Sequence, residues 1–144
     1  MLTALGLDVP WDSARAGQVF AATGFTYLFA PTFHPAMKAV APVRQSMGAR
    51  TIFNLVGPLA NPARAPYLVV GAFSEEAARM MADTLAGMAI SRAYVVHGEP
   101  GWDEPTPIGP YHLFDVTPGS VEPGVEDPAV PAYCSIERLP ARIH

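Results

Sequence analysis

The sequence has 144 residues, of which 50% are hydrophobic and 15% charged, so it suits one folded domain and not a disordered chain. The net charge is −4 and the basic residues are not clustered, which argues against a nucleic-acid-binding protein. The single cysteine, Cys134, excludes an intrachain disulfide and favours a reducing compartment, so we expect a cytoplasmic protein. No apolar run approaches the roughly 18 residues of a membrane span, and the amino terminus lacks the basic start of a signal peptide.

The first third of the chain has two helical patterns separated by a short apolar segment. Residues Asp12–Thr23 predict a helix with a capping side chain at its start and Gly24 at its end. The aromatic segment Phe25–Ala30 is typical of a strand. Residues His34–Met47 predict a second helix, and Pro42 inside it should bend the helix because its nitrogen has no hydrogen to donate.

The segment Thr51–Pro62 is ambiguous. Its apolar run permits a strand, but Gly57, Pro58 and Pro62 cut the run short. The pairs Gly57-Pro58 and Asn61-Pro62 are typical of tight turns. Such a rigid turn could wall a flat apolar pocket, or it could simply connect two elements of a core.

The middle of the chain predicts a strand, a helix and a second strand joined by short links. Tyr67–Phe73 and Arg92–Gly98 are apolar runs without alternation, as in strands of a parallel sheet that is covered on both faces. Between them, Ser74 can cap a helix that runs to about Met88. This βαβ pattern predicts an α/β fold with a mostly parallel sheet flanked by helices. Two weaker strand candidates follow at Tyr111–Val116 and Ser120–Val125.

Two adjacent carboxylates, Asp103 and Glu104, lie just past the end of the strand Arg92–Gly98. In open α/β sheets, ligands bind beyond the carboxyl ends of the strands. A hard divalent cation such as Mg²⁺ is usually held by one or two carboxylates together with substrate phosphates. An ordinary acidic turn is the common explanation of such a pair, so the pair alone is a weak signal.

A second group of polar residues lies on the helix predicted at His34–Met47. His34 and Lys38 are four residues apart and share a helix face. Arg44 follows the Pro42 bend, so helical spacing does not fix its direction. Its guanidinium could bind a carboxylate ligand, or it could pair with an Asp or Glu of this chain. For Lys38, the alternative to ligand binding is a solvated charge on the helix surface. For His34, the alternative is a side chain that caps backbone groups at the helix start.

The stretches FHPAMKAVAPVR, TIFNLVGPLANP and HGEPGWDE, in this order, closely resemble anthranilate phosphoribosyltransferase of tryptophan biosynthesis. The resemblance runs from Leu2 to about Leu139. It implies part of an α/β domain of the nucleoside-phosphorylase and phosphoribosyltransferase type. HPAMK and GPLANP argue against a nucleoside phosphorylase, which shares the fold class but not these residues.

The resemblance also implies an activity and its residues. The reaction would transfer phosphoribosyl from phosphoribosyl pyrophosphate to the amine of anthranilate and release pyrophosphate. Asp103 and Glu104 match the family's Mg²⁺-binding pair, so the implied cofactor is Mg²⁺. His34, Arg44 and Pro58 match the family's anthranilate site, in which Arg44 would take the substrate carboxylate and Pro58 would wall the ring.

The sequence departs from the family in what it lacks. Family members are homodimers with an amino-terminal helical bundle, and they carry a Gly-rich phosphate loop; neither is found here. We therefore expect residues 1–144 to form a single, incomplete α/β domain, loop-rich after about residue 99, that shows no phosphoribosyl transfer alone. The alternative is a non-catalytic fragment that retains only acceptor and metal-site residues.

Overall fold

The structure, a computed structural model, describes residues 2–48 and 51–128. The chain divides into two compact units, Met1–Thr51 and Ile52–His144. The expectation of a single, incomplete domain stays a prediction. Cys134 and the rest of the tail after residue 128 lie outside the described residues. Within the two described ranges, no helix has the length and apolar character to cross a membrane.

The first unit is helical in its described residues. A 3₁₀ turn at Leu2–Leu5 precedes three α-helices: α1 (Ser13–Thr23), α2 (Ala30–Phe33) and α3 (Ala36–Met47). The carboxylate of Asp12 accepts a 2.8 Å hydrogen bond from the backbone of Arg15, which satisfies one of the free amides at the start of α1. Gly24 ends the same helix. The first helix is therefore confirmed, including its cap.

The strand predicted at Phe25–Ala30 is wrong. Residues 25–29 form no strand, and Ala30 already begins α2. A strand needs a neighbour for its ladder, and the described part of the first unit contains no other strand. Local side chains bond to this segment instead: the amide of Phe25 donates to the hydroxyl of Thr23, and the hydroxyl of Thr26 donates to the carbonyl of Ala16.

The helix predicted at His34–Met47 forms as α3, which starts two residues later than expected and contains Pro42. The ambiguous segment Thr51–Pro62 is also helical, since α4 covers Phe53–Leu59. The strand that the apolar run permitted and the tight turn expected at Gly57-Pro58 are therefore both wrong. The φ angle that the proline ring imposes is also that of a helix, so Pro58 can stay helical near the end of so short an element.

The described part of the second unit carries one four-stranded sheet. Its elements after α4 are β1 (Tyr67–Gly71), α5 (Glu75–Ala86), β2 (Arg92–Gly98), β3 (Tyr111–Thr117) and β4 (Ser120–Glu126). The strand order is β1-β2-β3-β4; β1 and β2 are parallel, and the two later pairs are antiparallel. The βαβ unit and the α/β class are confirmed, and the sheet of the described residues is mixed.

The core of the second unit lies between α5 and the sheet. The hydroxyl of Ser74 accepts a 3.2 Å hydrogen bond from the backbone of Ala77 and caps α5. The helix then buries a single face against the sheet, because its apolar residues recur every three to four positions. The buried residues on this face are Ala77, Ala78, Met81, Ala82 and Leu85, and they pack with Val70, Ala93, Val95, Phe114 and Val116 of the strands.

One ion pair joins β2 and β3. The Nε of Arg92 donates a 2.9 Å hydrogen bond to Oδ1 of Asp115, and Nη2 lies against Oδ2. This hydrogen bond with Asp115 holds the pKa of Arg92 above its ordinary value. The guanidinium carbon also lies 5.3 Å from the centre of the Tyr94 ring. The paired geometry fixes both side chains on the surface of the sheet.

The two edges of this sheet differ. Within the described residues, β1 pairs only with β2, and its side chains Tyr67 and Val69 are 61% and 73% exposed. The opposite edge is β4, which contains Pro123 and the exposed acidic residue Glu122. A proline has no backbone N–H and is tolerated on an edge strand.

Candidate active-site loop at the carboxyl end of the sheet

The loop of residues 99–110 leaves the sheet at the carboxyl end of β2. Because β1 and β2 are parallel, their carboxyl ends lie at the same edge of the sheet. This is the edge at which open α/β sheets bind their ligands. Asp103 and Glu104 are in this loop, so the position expected for them is confirmed.

The base of the loop is fixed by backbone hydrogen bonds. Gly98 and Trp102 exchange two bonds of 2.8 Å, each donating its N–H to the other's carbonyl. The amide of Gly101 donates to the same Gly98 carbonyl, and the amide of Glu99 donates to Pro110 at the far end of the loop. The residue immediately before Asp103 is therefore tied to the end of β2.

The loop then lies directly on two glycines of the sheet. A Cβ atom at Gly71, the last residue of β1, would collide with the carbonyl oxygen of Asp103. A Cβ atom at Gly98, the last residue of β2, would collide with the carbonyl oxygen of Glu104 and come within 2.6 Å of Cγ2 of Thr106. Only glycine has room here, because the neighbouring atoms are mostly main chain.

Thr106 closes the loop from below. Its side chain is buried, with 3% exposure, and its hydroxyl donates a 3.4 Å hydrogen bond to the carbonyl of Gly109. Its methyl group faces Gly98. The loop thus has a packed underside, whereas both carboxylate residues are exposed.

The two carboxylates of the loop fit a hard cation that takes most of its ligands from water or from a bound substrate. Among residues 2–48 and 51–128, no group of three or more His, Cys, Asp or Glu side chains is placed to hold a metal ion. Two exposed carboxylates on a supported backbone, Asp103 and Glu104, suit Mg²⁺, which accepts one or two carboxylates and fills its other positions with water or phosphate oxygens.

A histidine pair beside the loop was not predicted from the sequence. Nδ1 of His97, on β2, lies 2.9 Å from the carbonyl oxygen of Ala72. The rings of His97 and His112 are stacked with their centres 6.4 Å apart, and Nδ1 of His112 lies 3.5 Å from a carboxylate oxygen of Glu75. The register of β2 and β3 places the two histidines opposite each other, and single-sequence patterns do not reveal that register.

Tyr111 lies opposite Gly98 at the start of β3, at the foot of the loop. Burial raises the pKa of its phenol, and the negative charge of Glu126 raises it further. The phenol therefore stays protonated at neutral pH.

The residues expected to bind anthranilate lie on or beside three helices. His34 is half-buried and follows the last residue of α2, with its amide donating to the carbonyl of Ala30. Arg44 lies on α3, and its side chain is outside the described part of the structure. Pro58 is exposed on α4, in the second unit.

This arrangement, a ligand loop at the carboxyl ends of parallel strands, defines an α/β domain of the ligand-binding kind. The chain belongs to the glycosyl transferase family, a/b domain, whose family model matches residues 1–130. That range includes all five of the predicted site residues, His34, Arg44, Pro58, Asp103 and Glu104.

Curated relatives confirm the resemblance expected from the sequence. The anthranilate phosphoribosyltransferase of Ignicoccus hospitalis is 44% identical over 127 residues, which are 88% of this chain and 38% of the relative. That of Desulforudis audaxviator is 41% identical over 128 residues, 89% of this chain and 37% of the relative. The chain therefore spans less than two fifths of the length of these relatives.

Solved structures support the fold class. Anthranilate phosphoribosyltransferase from Saccharomyces cerevisiae in complex with 4-fluoroanthranilate has a TM-score of 0.75 and 29% identity, over 83% of this chain and 34% of the other. The same yeast enzyme in complex with PRPP and Mg also has a TM-score of 0.75 and 29% identity, over 83% of this chain and 33% of the other.

Proposed function

We propose that this chain supplies the acceptor residues and the Mg²⁺-binding loop of an anthranilate phosphoribosyltransferase. The reaction is the transfer of phosphoribosyl from phosphoribosyl pyrophosphate to the amine of anthranilate, with release of pyrophosphate. The observation that carries the proposal is the loop with Asp103 and Glu104, which lies on two glycines at the carboxyl end of the sheet. The family model that matches residues 1–130 includes this loop.

Asp103 and Glu104 are the proposed metal ligands. Both are exposed, and the backbone under them is fixed by the bonds between Gly98 and Trp102. Their two negative charges are thus exposed beyond the carboxyl end of β2, the edge at which open α/β sheets bind ligands. When bound there, Mg²⁺ would neutralise charge on the pyrophosphate oxygens.

His34, Arg44 and Pro58 are the proposed anthranilate residues. Anthranilate has a carboxylate and a flat ring, which need a cationic partner and an apolar wall. The guanidinium of Arg44 can take the carboxylate with two parallel hydrogen bonds. The exposed ring of Pro58 offers an apolar surface of fixed shape, and it stands on a helix packed near α5.

A chimera tests the function in the setting of a whole enzyme. Residues 2–128 of this chain replace the matching segment of the Ignicoccus hospitalis relative, which is 44% identical over the aligned region. Transfer is followed by the loss of anthranilate fluorescence with phosphoribosyl pyrophosphate and Mg²⁺ present. We expect an active chimera and, as predicted from the sequence, no transfer by the isolated chain.

The metal role is tested in the same chimera. Asp103→Asn with Glu104→Gln keeps the shape of the loop and removes its charge, so the rate should fall by at least ~10²-fold, the scale for losing one electrostatic stabiliser. The control, Glu76→Gln with Asp83→Asn, removes two exposed carboxylates from α5 and should leave the rate unchanged. A folded but inactive chimera, or equal rates in the two double variants, contradicts the proposal.

A further inference from the structure

The final glycines of β1 and β2 carry an inference beyond the carboxylates themselves. We propose that Gly71 and Gly98 are positioning residues for the acidic pair: Gly71 leaves room for the backbone of Asp103, and Gly98 leaves room for that of Glu104. The metal part of this inference rests on the proposed function, whereas the loop part rests only on the geometry.

The requirement for glycine at these positions is one of space. Neither Gly71 nor Gly98 is among the glycines with a positive φ angle, so a residue with a side chain could adopt either backbone conformation. What forbids a side chain is the main chain above. At Gly71 an added Cβ would overlap the carbonyl oxygen of Asp103 and lie 2.8 Å from its carbonyl carbon and 3.1 Å from its Cβ.

Main-chain atoms cannot rotate out of the way, so the loop must lift if either glycine gains a side chain. The loop has little freedom to absorb this movement, because Trp102 is held by two 2.8 Å hydrogen bonds to Gly98. The displacement therefore moves Asp103 and Glu104, and it also strains the two bonds by which Trp102, the residue before them, is tied to Gly98. Their carboxylates would move away from the edge of the sheet.

The two strands share the task. Gly71 pairs with Val96 in the parallel register, two residues before Gly98, so the glycines are close neighbours on adjacent strands. Each supports one member of the pair, and the relative position of the two carboxylates is set by the sheet. Residues that orient metal ligands without touching the metal usually change affinity by about 10- to 100-fold when they are replaced.

The test uses the whole chain with three single variants. Gly71→Ala and Gly98→Ala each add one Cβ under the loop. Gly124→Ala is the matched control, because Gly124 lies in β4 of the same sheet and an added Cβ would be 3.7 Å from the nearest atom, an ordinary contact. Two readouts are made: hydrogen exchange of the Trp102 amide, and Mn²⁺ affinity from the broadening of the Asp103 and Glu104 amide signals.

Mn²⁺ serves as the probe because it takes the same oxygen ligands as Mg²⁺ and broadens nearby signals. In Gly71→Ala and Gly98→Ala we expect Trp102 exchange to be at least ~10-fold faster, a local opening, while the amide of Ala78 in α5 stays protected. Mn²⁺ should bind about 10-fold more weakly or worse. The control should match the unchanged chain in both readouts.

A rescue variant separates the contact from general damage. Thr106→Ser removes the methyl group that lies within 2.6 Å of a Cβ added at Gly98. In the Gly98→Ala background it should recover part of the Trp102 protection and part of the Mn²⁺ affinity. The same change should recover nothing in Gly71→Ala, where the obstructing atoms belong to Asp103.

The outcomes distinguish the two proposals. The metal role fails if Mn²⁺ does not bind the unchanged chain, or if it binds the double variant Asp103→Asn with Glu104→Gln as tightly as the unchanged chain. In either case the exchange of the Trp102 amide alone decides the role of the glycines. Unchanged Trp102 exchange in both glycine variants overturns the inference. Loss of the α5 protection in both variants overturns it too, because the glycines would then be needed by the sheet and not by the loop.

Discussion

The interiors of the two units of this chain differ in how much apolar surface they bury. The second buries Met81, Leu85, Val95 and Val116 almost completely between α5 and the sheet. In the described part of the first, Ala16 is the one buried hydrophobic residue. Apolar burial is the main favourable term in folding, so the second unit has the larger share of it.

The difference shows what local sequence signals achieve and what they do not. In the first unit, the Asp12 cap and the bonds of Thr23 lie at the two ends of α1, and Thr26 bonds to Ala16 only ten residues away. In the second unit, tertiary packing adds a fixed position to each element. The proposed metal ligands stand on the packed unit, whereas His34 and Arg44 stand on the unit defined by local contacts.

The largest expected effect contrasts a buried side chain of the second unit with an exposed side chain of the first. Leu85→Ala removes a fully buried side chain, with 0% exposure, and should lower the free energy of unfolding by about 2–5 kcal/mol. Leu5→Ala makes the same chemical change at a side chain that is 74% exposed, and should alter stability by less than about 0.5 kcal/mol. Urea titration followed by circular dichroism measures both. Equal losses would erase the contrast between the units.

An intermediate effect is expected at the ion pair of β2 and β3. Asp115→Asn removes the charged acceptor of the Arg92 guanidinium, and should cost about 1–3 kcal/mol because the two side chains are only 24% and 17% exposed. The control is Glu122→Gln, an exposed carboxylate opposite Asp115 on β4, which should cost less than about 1 kcal/mol. If the control were as costly as Asp115→Asn, general surface charge and not the paired geometry would explain the loss.

The smallest effect sharpens the comparison at the helix caps. Ser74→Ala and Asp12→Ala each remove one side chain that accepts an amide hydrogen bond, at a cost of about 0.5–2 kcal/mol. We expect Ser74→Ala to speed amide exchange through α5 and β2, since this helix packs on the sheet. Asp12→Ala should speed exchange mainly within α1.

Conservative replacements serve as controls for the caps. Ser74→Asp and Asp12→Ser keep an oxygen that can accept the same bond, so both should retain protection. Exchange in β2 that responded as strongly to Asp12→Ala as to Ser74→Ala would show that the units do not differ in this respect.

Local signals in the sequence predicted the elements that they control. The cap at Asp12 predicted α1. The cap at Ser74 and the apolar runs at Tyr67–Phe73 and Arg92–Gly98 predicted the βαβ unit and the position of the acidic loop. The strand predicted at Phe25–Ala30 failed because a strand depends on a partner. Thr51–Pro62 was ambiguous between a strand and a turn, and the helix α4 was not predicted, because proline suits short helices as well as turns.

The parts of the site that were missed depend on contacts between distant residues. Gly71 and Asp103 are far apart in sequence, and only the fold shows that one must be a glycine because of the other. The stacking of His97 on His112 depends on the antiparallel register of β2 and β3. No periodicity within a short window contains this information.

The two edges of the sheet differ in how readily they can pair with an added strand. An incoming strand of any origin needs free backbone donors and acceptors and an apolar surface to settle on. On β4, Pro123 has no backbone N–H to donate, and the neighbouring Glu122 is negatively charged. β1 contains neither a proline nor a charged residue, so at the edges that the described residues form, an extended segment can pair with β1 more readily than with β4.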